Sequence, residues 1–252
     1  LGLEDSFREI LAGIDAGEKS TGPFSVLATP ASPRQQRRCA ELFVQDRIPP
    51  LATSVWTGGP YRHDRIRIGY FSSDFRIHPV AFLIAGLFET HDRKKFEVTG
   101  FSLGPPTGDE MHRRIERSFD RFVECEQLAD LEILSLAREL EIDIAVDLNG
   151  FTDGARTRLF VHRAAPVQVN YLGYPGTMGA SYFDYLIADE VVIPADFRSG
   201  YSEKIVYLPG SFQPNDPKRV VAARRFTRRE LGLPETGFVF CCFNNNFKIS
   251  PF

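Results

Sequence analysis

The stretch from Ile66 to Phe71, Ile-Arg-Ile-Gly-Tyr-Phe, decides the fold of this 252-residue chain. It is a short run of β-branched and aromatic residues, which are enriched in strands, and the polar residues Ser72-Ser73-Asp74 end it. Pro79 then begins a helix over Val80 to Thr90, since proline is favoured in the first helical turn. The stretch therefore predicts one strand, a polar loop and a helix, the repeating unit of a parallel sheet.

The same alternation continues towards the C-terminus. Further strands are predicted at 96–102, 121–125, 142–148, 166–172, 185–193 and 205–208, with helices at 107–119, 130–140 and 154–162. This order is typical of an α/β fold with a Rossmann-like, doubly wound parallel sheet. Ligands of such sheets bind outside the carboxyl ends of the strands. The candidate site loops are therefore 72–78, 149–153 and 173–179.

The chain divides into three parts by its pattern. Residues 1–60 predict a helical lead-in, with one helix over Leu3 to Ile14 and another over Arg34 to Val44, capped by Ser32. Residues 61–210 predict the α/β domain. Residues 211–252 predict a linker with a basic helix at 218–229, followed by a strand, Phe238 to Phe243, that begins a second α/β domain. Because the chain starts at Leu1 and stops just after that strand, we expect it to be a fragment of a longer protein.

Composition excludes several classes of protein. The net charge is −3 and charged residues make up 25% of the chain, which argues against a basic nucleic-acid-binding arm. The longest apolar run, Val80 to Phe88, is nine residues long, and a membrane-spanning helix needs about 20. The four cysteines form no Cys-x-x-Cys pair or zinc-like cluster. We therefore expect reduced thiols and a cytoplasmic location. The cysteines do not decide whether a metal binds, and the chain is expected to need no cofactor.

Two polar clusters follow predicted strands and are candidates for chemistry. His78 lies in the loop after the first strand, where an imidazole could act as a general base or orient a hydroxyl group. It could equally cap the following helix. Asp147 and Asn149 share one face of a strand end, a pattern that resembles a metal-binding pair but also fits a capped strand end.

Two further segments could contact a phosphate or a sugar. The glycine-rich stretch from Gly173 to Ala180 contains the hydroxyl of Thr177, and such loops can bring backbone N–H groups close to an anion. It could also be an ordinary tight turn. Lys248 follows the last predicted strand and is suited to neutralising a diphosphate leaving group, although a surface lysine would look the same. Dinucleotide, P-loop and nucleophile-elbow motifs do not occur in the sequence.

Taken together, these segments resemble the catalytic region of the O-GlcNAc transferase/SPINDLY family, glycosyltransferase family 41. The motifs that carry the resemblance run from Arg65 to the C-terminus and occur in the family's order. They are Arg65–Phe75 with His78-Pro79, Asp147–Thr152 with Gly154–Arg156, Pro166–Gln168, Leu172–Ala180, Asp184-Tyr185, Tyr201–Lys204, and Phe243-Asn244 with Lys248-Ile249. Residues 20–50 also look like the segment that joins the family's tetratricopeptide repeats to its catalytic domain.

The resemblance implies a fold, a reaction and a set of site residues. The fold is GT-B, with a cleft between two Rossmann-like halves, and this chain resembles the N-terminal half. The reaction is inverting, metal-independent transfer of a sugar from a nucleoside diphosphate to Ser or Thr of a protein acceptor. The residues carried over by motif are His78 near the acceptor, Lys248 at the diphosphate, and a set that lines the cleft: Asn149, Thr152, Pro175, Gly176, Thr177 and Asn245.

Three functional alternatives remain open on the sequence. UDP-GlcNAc is the expected donor, but GDP-fucose fits SPINDLY-type relatives, and animal members commonly have Gln where this chain has Asn245. A non-catalytic binding or scaffold module is the reading if the natural chain ends at Phe252. If it continues, we expect tetratricopeptide repeats upstream, the nucleotide-binding half downstream, and no activity from the isolated fragment.

Overall fold

The computed structural model describes residues 2–51, 56, 58–59 and 61–243. Seven strands lie in one parallel sheet in the order β3-β2-β1-β4-β5-β6-β7. Their bounds are β1 Ile66–Ser72, β2 Phe96–Ser102, β3 Arg121–Glu124, β4 Ile144–Asp147, β5 Val167–Asn170, β6 Tyr185–Ala188 and β7 Lys204–Tyr207. The first six strands have the Rossmann order, which confirms the predicted fold class.

Seven α-helices precede or connect these strands within the described residues. They are α1 Leu3–Asp15, α2 Pro23–Val26, α3 Pro33–Arg47, α4 Pro79–Thr90, α5 Glu110–Glu116, α6 Asp130–Glu139 and α7 Arg158–Val161, and a 3₁₀ helix spans Ala195–Gly200. Ser32 caps α3 as predicted, its hydroxyl accepting the N–H of Gln35 at 3.3 Å. None of these helices has the length and apolar character that crossing a bilayer requires.

Both faces of the sheet are buried, as expected for parallel strands. Phe71 on β1 packs with Phe101 and Phe160 on one face, and its ring stacks on Phe101 with centroids 4.3 Å apart. The neighbouring Tyr70 points to the other face and packs with Phe88 of α4. Because side chains alternate along a strand, adjacent aromatic residues of β1 supply both cores.

The predicted lead-in packs onto the sheet domain. Ile48, just after α3, belongs to the same core cluster as Phe71, and its carbonyl oxygen accepts the hydroxyl of Tyr182 at 3.3 Å. Arg37 of α3 donates to the carbonyl oxygens of Ser199 and Tyr201 at 3.1 and 3.2 Å. Residues up to 216 therefore form one compact unit, and those from 217 onwards form a second.

Several predicted elements differ in the structure. The strand expected over 185–193 ends at Ala188, because Asp189 Oδ1 accepts the N–H groups of Val191 and Val192, both at 2.9 Å, and turns the chain. The helix expected over 154–162 is only the four residues of α7. The short helix α2 was not predicted, since Gly22 and Pro23 suggested only a break.

The second unit, described to residue 243, contains neither the basic helix predicted at 218–229 nor the strand predicted at 238–243, so both predictions are wrong. Six basic side chains within twelve positions repel one another along a helix, and short helices are marginal without packing. Phe238, Phe240 and Phe243 are 82–96% exposed. None of the seven strands in the described part of the chain pairs with this segment. That residues 211–252 begin a second catalytic half remains a prediction.

Candidate functional site at the switch point of the sheet

The chain reverses direction across the sheet between β1 and β4. From β1 it proceeds outward to β2 and β3, and it then returns to β4 on the other side of β1. The loops after β1 and β4 therefore leave the sheet in opposite directions, which opens a crevice at their carboxyl ends. Two of the three predicted site loops, 72–78 and 149–153, border this crevice.

Asn149 joins these two loops from within the protein. It is 1% exposed. Its Oδ1 accepts the backbone N–H of Ser73 at 2.8 Å, and its Nδ2 donates to Ser73 Oγ at 2.9 Å and to Asp74 Oδ2 at 2.8 Å. Thr152 lies next to it, with its hydroxyl donating to the Asn149 carbonyl oxygen at 2.9 Å. The structure thus brings the predicted residues Asn149 and Thr152 together and gives Asn149 a fixed orientation.

Asp147 lies beneath this network at the end of β4. Its Oδ1 accepts the N–H groups of Asn149 and Gly150 at 2.9 and 3.1 Å, which shapes the turn. Burial raises the pKa of Asp147 to about 6, although the two N–H donors oppose that shift. Among the described residues no group of three His, Cys, Asp or Glu side chains is arranged to hold a metal ion. The Asp147–Asn149 pair is a strand-end cap in this fold.

His78 lies at the mouth of the crevice as the N-cap of α4. Its Nδ1 accepts the N–H of Val80 at 3.4 Å, and the same nitrogen is 3.6 Å from Asp74 Oδ2. The side chain is 31% exposed. Partial burial lowers the pKa of His78 and Arg76 lowers it further, whereas Asp74 raises it. Asp74 contacts both His78 and Asn149, so these two predicted residues belong to one network.

The third predicted loop, after β5, packs tightly on the loop after β4. A side chain at Gly173 would place its Cβ 1.8 Å from the carbonyl oxygen of Leu148, and one at Gly150 would lie 2.4 Å from Tyr174 Cβ. Leu172 has a φ of 68°, a left-handed conformation that a non-glycine residue rarely adopts. Close backbone approach between the two loops therefore requires glycine at both contact points.

Within that loop the predicted residues have different surroundings. Pro175 is exposed and Gly176 is buried. Thr177 is 2% exposed, and its hydroxyl donates to Glu203 Oε2 at 2.7 Å and accepts the N–H groups of Ser202 and Gly179. The structure therefore engages the Thr177 hydroxyl inside the protein, where it anchors the loop to the segment before β7. Lys248 and Asn245 lie outside the described residues.

Sequence reasoning did not single out Asp74, Glu203 or Asn170. Asp74 and Glu203 lie inside motifs that carry the family resemblance, and each is an acid with 5% exposure. A charged residue in a motif beside apolar strands is the signal that could have identified them, because buried acids need partners. Asn170 is buried at the end of β5, where its Nδ2 donates to the carbonyl oxygens of Tyr174 and Gly176 in the third loop. An uncharged amide gives no comparable signal in the sequence.

A groove borders the crevice on the side of the lead-in helices. It has a volume of about 620 Å³ and reaches Thr152. Three aromatic side chains line it, from α2, α3 and the loop after β4, together with three arginines and Asp130: Phe24, Phe43, Phe151, Arg47, Arg156 and Arg158. Arg156 is paired with Asp130. The groove is therefore aromatic, with a net positive lining.

Comparisons with known proteins agree with this architecture. The model of glycosyl transferase family 41 matches residues 58–223. The chain is 34% identical over 249 residues to the probable UDP-N-acetylglucosamine–peptide N-acetylglucosaminyltransferase SEC of Arabidopsis thaliana, covering 92% of this chain and 25% of that protein. It is 36% identical over 149 residues to a UDP-N-acetylglucosamine–peptide N-acetylglucosaminyltransferase of Caenorhabditis elegans, covering 59% of this chain and 13% of that protein.

A solved structure gives the same result. The fold superposes on a mutant of the Thermobaculum terrenum O-GlcNAc transferase with a TM-score of 0.68 and 29% identity, covering 86% of this chain and 40% of that one. In length, this chain spans about a quarter of its plant relative and 40% of the solved structure. The matched residues include β1 to β7 and all three loops of the candidate site. The chain belongs to glycosyl transferase family 41.

Proposed function

We propose that this chain is the acceptor-side, N-terminal half of a GT-B protein O-glycosyltransferase. In the proposed reaction, a sugar passes from a nucleoside diphosphate to a Ser or Thr hydroxyl with inversion. The observation that carries the proposal is the network at the switch point, in which Asp74 contacts both His78 and Asn149. It places a titratable ring at the mouth of the crevice and a rigid amide at its base, in a family-41 fold.

The geometry gives His78 one of two roles. When Nδ1 accepts the N–H of Val80, the neutral ring carries its proton on Nε2 and can orient an acceptor oxygen. When Nδ1 carries the proton instead, this N–H points to the Asp74 carboxylate, 3.6 Å away, which holds the ring in place. The unprotonated Nε2 can then take the proton of the acceptor hydroxyl. The Val80 contact is long, at 3.4 Å, so the second arrangement costs little. A lowered pKa keeps the ring neutral near pH 7 in both cases.

The leaving group and donor complete the proposal. Lys248 would neutralise the departing diphosphate, so the mechanism needs neither a metal ion nor a cofactor. The donor is proposed to be UDP-GlcNAc, the nucleotide sugar that the names of the plant and nematode relatives contain. Asn149, Thr152 and the loop at Pro175, Gly176 and Thr177 would form the first half's wall of the donor site.

The acceptor is proposed to be a polypeptide. The aromatic, positively lined groove beside Thr152 offers an extended apolar surface next to the crevice. The partial coverage of the relatives is consistent with the proposed neighbours of this chain, which are tetratricopeptide repeats upstream and a nucleotide-binding half downstream. The chain alone is then expected to transfer no sugar and to bind UDP more weakly than micromolar.

A donor screen on a protein that continues through the second half tests the proposal. We expect transfer from UDP-GlcNAc to a protein acceptor, and a loss of about 100-fold or more in kcat for Lys248→Ala and of about 100-fold for His78→Ala. Lys94→Ala is the matched control and should keep full activity, because this exposed lysine lies just before β2, at the amino ends of the strands, and the site loops follow their carboxyl ends.

Three results would change the conclusion. An unchanged rate in Lys248→Ala removes the leaving-group role. A preference for GDP-fucose moves the enzyme to the SPINDLY-type alternative. Sugar transfer or micromolar UDP binding by the 252-residue chain alone contradicts the assignment of the donor site to a second half.

A further inference from the structure

Two buried oxygen atoms at the ends of β4 and β5 accept no hydrogen bond. They are Asp147 Oδ2 and Asn170 Oδ1, on side chains that are 3% and 0% exposed. Buried oxygen atoms without a donor are rare in folded proteins because their desolvation is not compensated. A hydrogen-bond donor for these two oxygen atoms therefore has to be identified.

The strand register places these two side chains side by side. Asp147 and Asn170 are direct partners in the parallel pairing of β4 with β5, on strands about 4.8 Å apart. Partners in register point to the same face of the sheet. The two unpaired oxygens thus belong to neighbours on one buried face.

Neither side chain can resolve the problem by rotating. The amide of Asn170 is oriented by the carbonyl oxygens of Tyr174 and Gly176, to which its Nδ2 donates at 3.5 and 3.2 Å. A flipped amide would turn Oδ1 towards those two oxygens. Asp147 Oδ1 is held by the N–H groups of Asn149 and Gly150. One hydrogen atom shared between the two neighbouring oxygens would satisfy both.

We propose that the protonated form of Asp147, the form favoured at mildly acidic pH, carries its proton on Oδ2 and donates a hydrogen bond to Asn170 Oδ1, forming a neutral acid–amide pair. Burial favours the uncharged acid and raises the pKa of Asp147 to about 6, whereas an ordinary Asp titrates near 3.9. The titratable groups packed on this face are Tyr174 and Tyr182, whose pKa values burial raises. Both are neutral, and neither supplies a positive charge that would favour the ionised acid.

The pair links the two loops of the proposed donor wall. Through Oδ1, Asp147 holds the turn that contains Asn149 and Gly150; through Asn170, the same acid reaches the carbonyl oxygens of the loop after β5. In its protonated form Asp147 is thus a positioning residue for both loops; in its ionised form it holds only the turn after β4. The effect of the acid–amide pair on donor binding rests on the proposed function. The pair itself is a property of the fold and can be tested without a transfer assay.

A carboxyl ¹³C NMR titration of the 252-residue chain tests the proposal directly. We expect the Asp147 carboxyl to titrate near pH 6. The backbone amides of Asn149, Gly150 and Gly176 should shift with the same midpoint, because one proton fixes both loops. An Asp147 that is already ionised at pH 5 overturns the proposal and indicates a bridging water molecule. Movement of Asn149 and Gly150 without Gly176 overturns it as well, because the loops would then be uncoupled.

A pair of amide variants provides the stability test. Asp147→Asn replaces Oδ2 by a permanent donor, so it should be as stable as the wild type at pH 5. At Asp147 the folded state binds a proton more tightly than the unfolded state, so the contribution of this residue to stability falls as pH rises through about 6. The unfolding equilibrium constant of the wild type should rise about tenfold relative to Asp147→Asn between pH 5 and pH 8.

Asp189→Asn is the matched control. Both oxygens of Asp189 accept backbone N–H groups, from Val191, Val192 and Phe212. The NH₂ group of an asparagine at this position would therefore face a backbone N–H and lose that hydrogen bond. This variant should be destabilised at both pH values. If Asp147→Asn behaves like Asp189→Asn, or keeps the wild-type pH dependence, Asp147 holds no proton at Oδ2 and the proposal fails.

Discussion

His78 and Asn149 follow adjacent strands and are joined through Asp74, yet their surroundings differ. Asn149 is 1% exposed and contacts both neighbouring loops through its amide. The His78 side chain is 31% exposed and accepts one hydrogen bond, at 3.4 Å. The floor of the crevice, or base of the site, is Asn149 with its buried polar contacts. The rim of the site is His78, a titratable group that the fold restrains weakly.

This difference separates stability from chemistry within one site. Removing a satisfied buried group leaves its partners unpaired and costs stability, whereas a partly exposed ring can be replaced at little cost to the fold. Substitutions at the base should therefore affect folding first, and substitutions at the rim should affect mainly the reaction.

Gly173→Ala should have the largest effect on folding. The added Cβ would lie 1.8 Å from the Leu148 carbonyl oxygen, a backbone atom that can move only if the loop after β4 moves. Overpacking of this kind costs about 3 kcal/mol of unfolding free energy. Urea unfolding of the chain measures it. Gly22→Ala is the control, since nothing lies within 4 Å of its added Cβ, and it should change stability by about 0.5 kcal/mol. Equal effects would contradict the role of close loop packing.

Asn149→Ala should have an intermediate effect. It removes the acceptor of the buried Ser73 N–H and the donor to Asp74, so we expect a loss of about 2 kcal/mol in unfolding free energy. Thr152→Val removes one hydroxyl bond at a partly exposed position and should cost about 1 kcal/mol. Thermal and urea unfolding of the two variants, measured in parallel, check this order. The reverse order would place the structural centre of the site at Thr152.

The fold could be predicted from the sequence because its signals are local. β1 and β2 are rich in β-branched and aromatic residues and lie between polar breaks, and α3 and α4 each begin with a proline after a polar residue. Those signals hold in the structure because both faces of the sheet are covered. The pattern at 238–243 is similar, but the structure places no strand beside it among the described residues. A strand signal is therefore sufficient only where a partner strand is present.

The site could be predicted only in part. His78, Asn149 and Thr152 were identified by their positions after strands and by family motif, and the network at the switch point contains all three. The burial of Thr177 against Glu203 was not expected, because it depends on a contact across 26 residues of sequence. The pairing of Asp147 with Asn170 likewise depends on strand register, which hydrophobic patterns do not specify between parallel strands.

Substitutions around His78 should have the smallest effect on stability and the clearest effect on its titration. The wild-type ring should titrate below pH 6.5, because partial burial and Arg76 both lower its pKa. Asp74→Asn should lower the midpoint further, since Asp74 raises the pKa, and Arg76→Gln should raise it. His78→Ala should cost less than about 1 kcal/mol, the usual value of an N-cap bond, because its contact with Val80 is long. NMR of the ring protons measures the midpoints. A midpoint that is unchanged in Asp74→Asn would show that Asp74 does not act on His78, and the rim would then lose its link to the base.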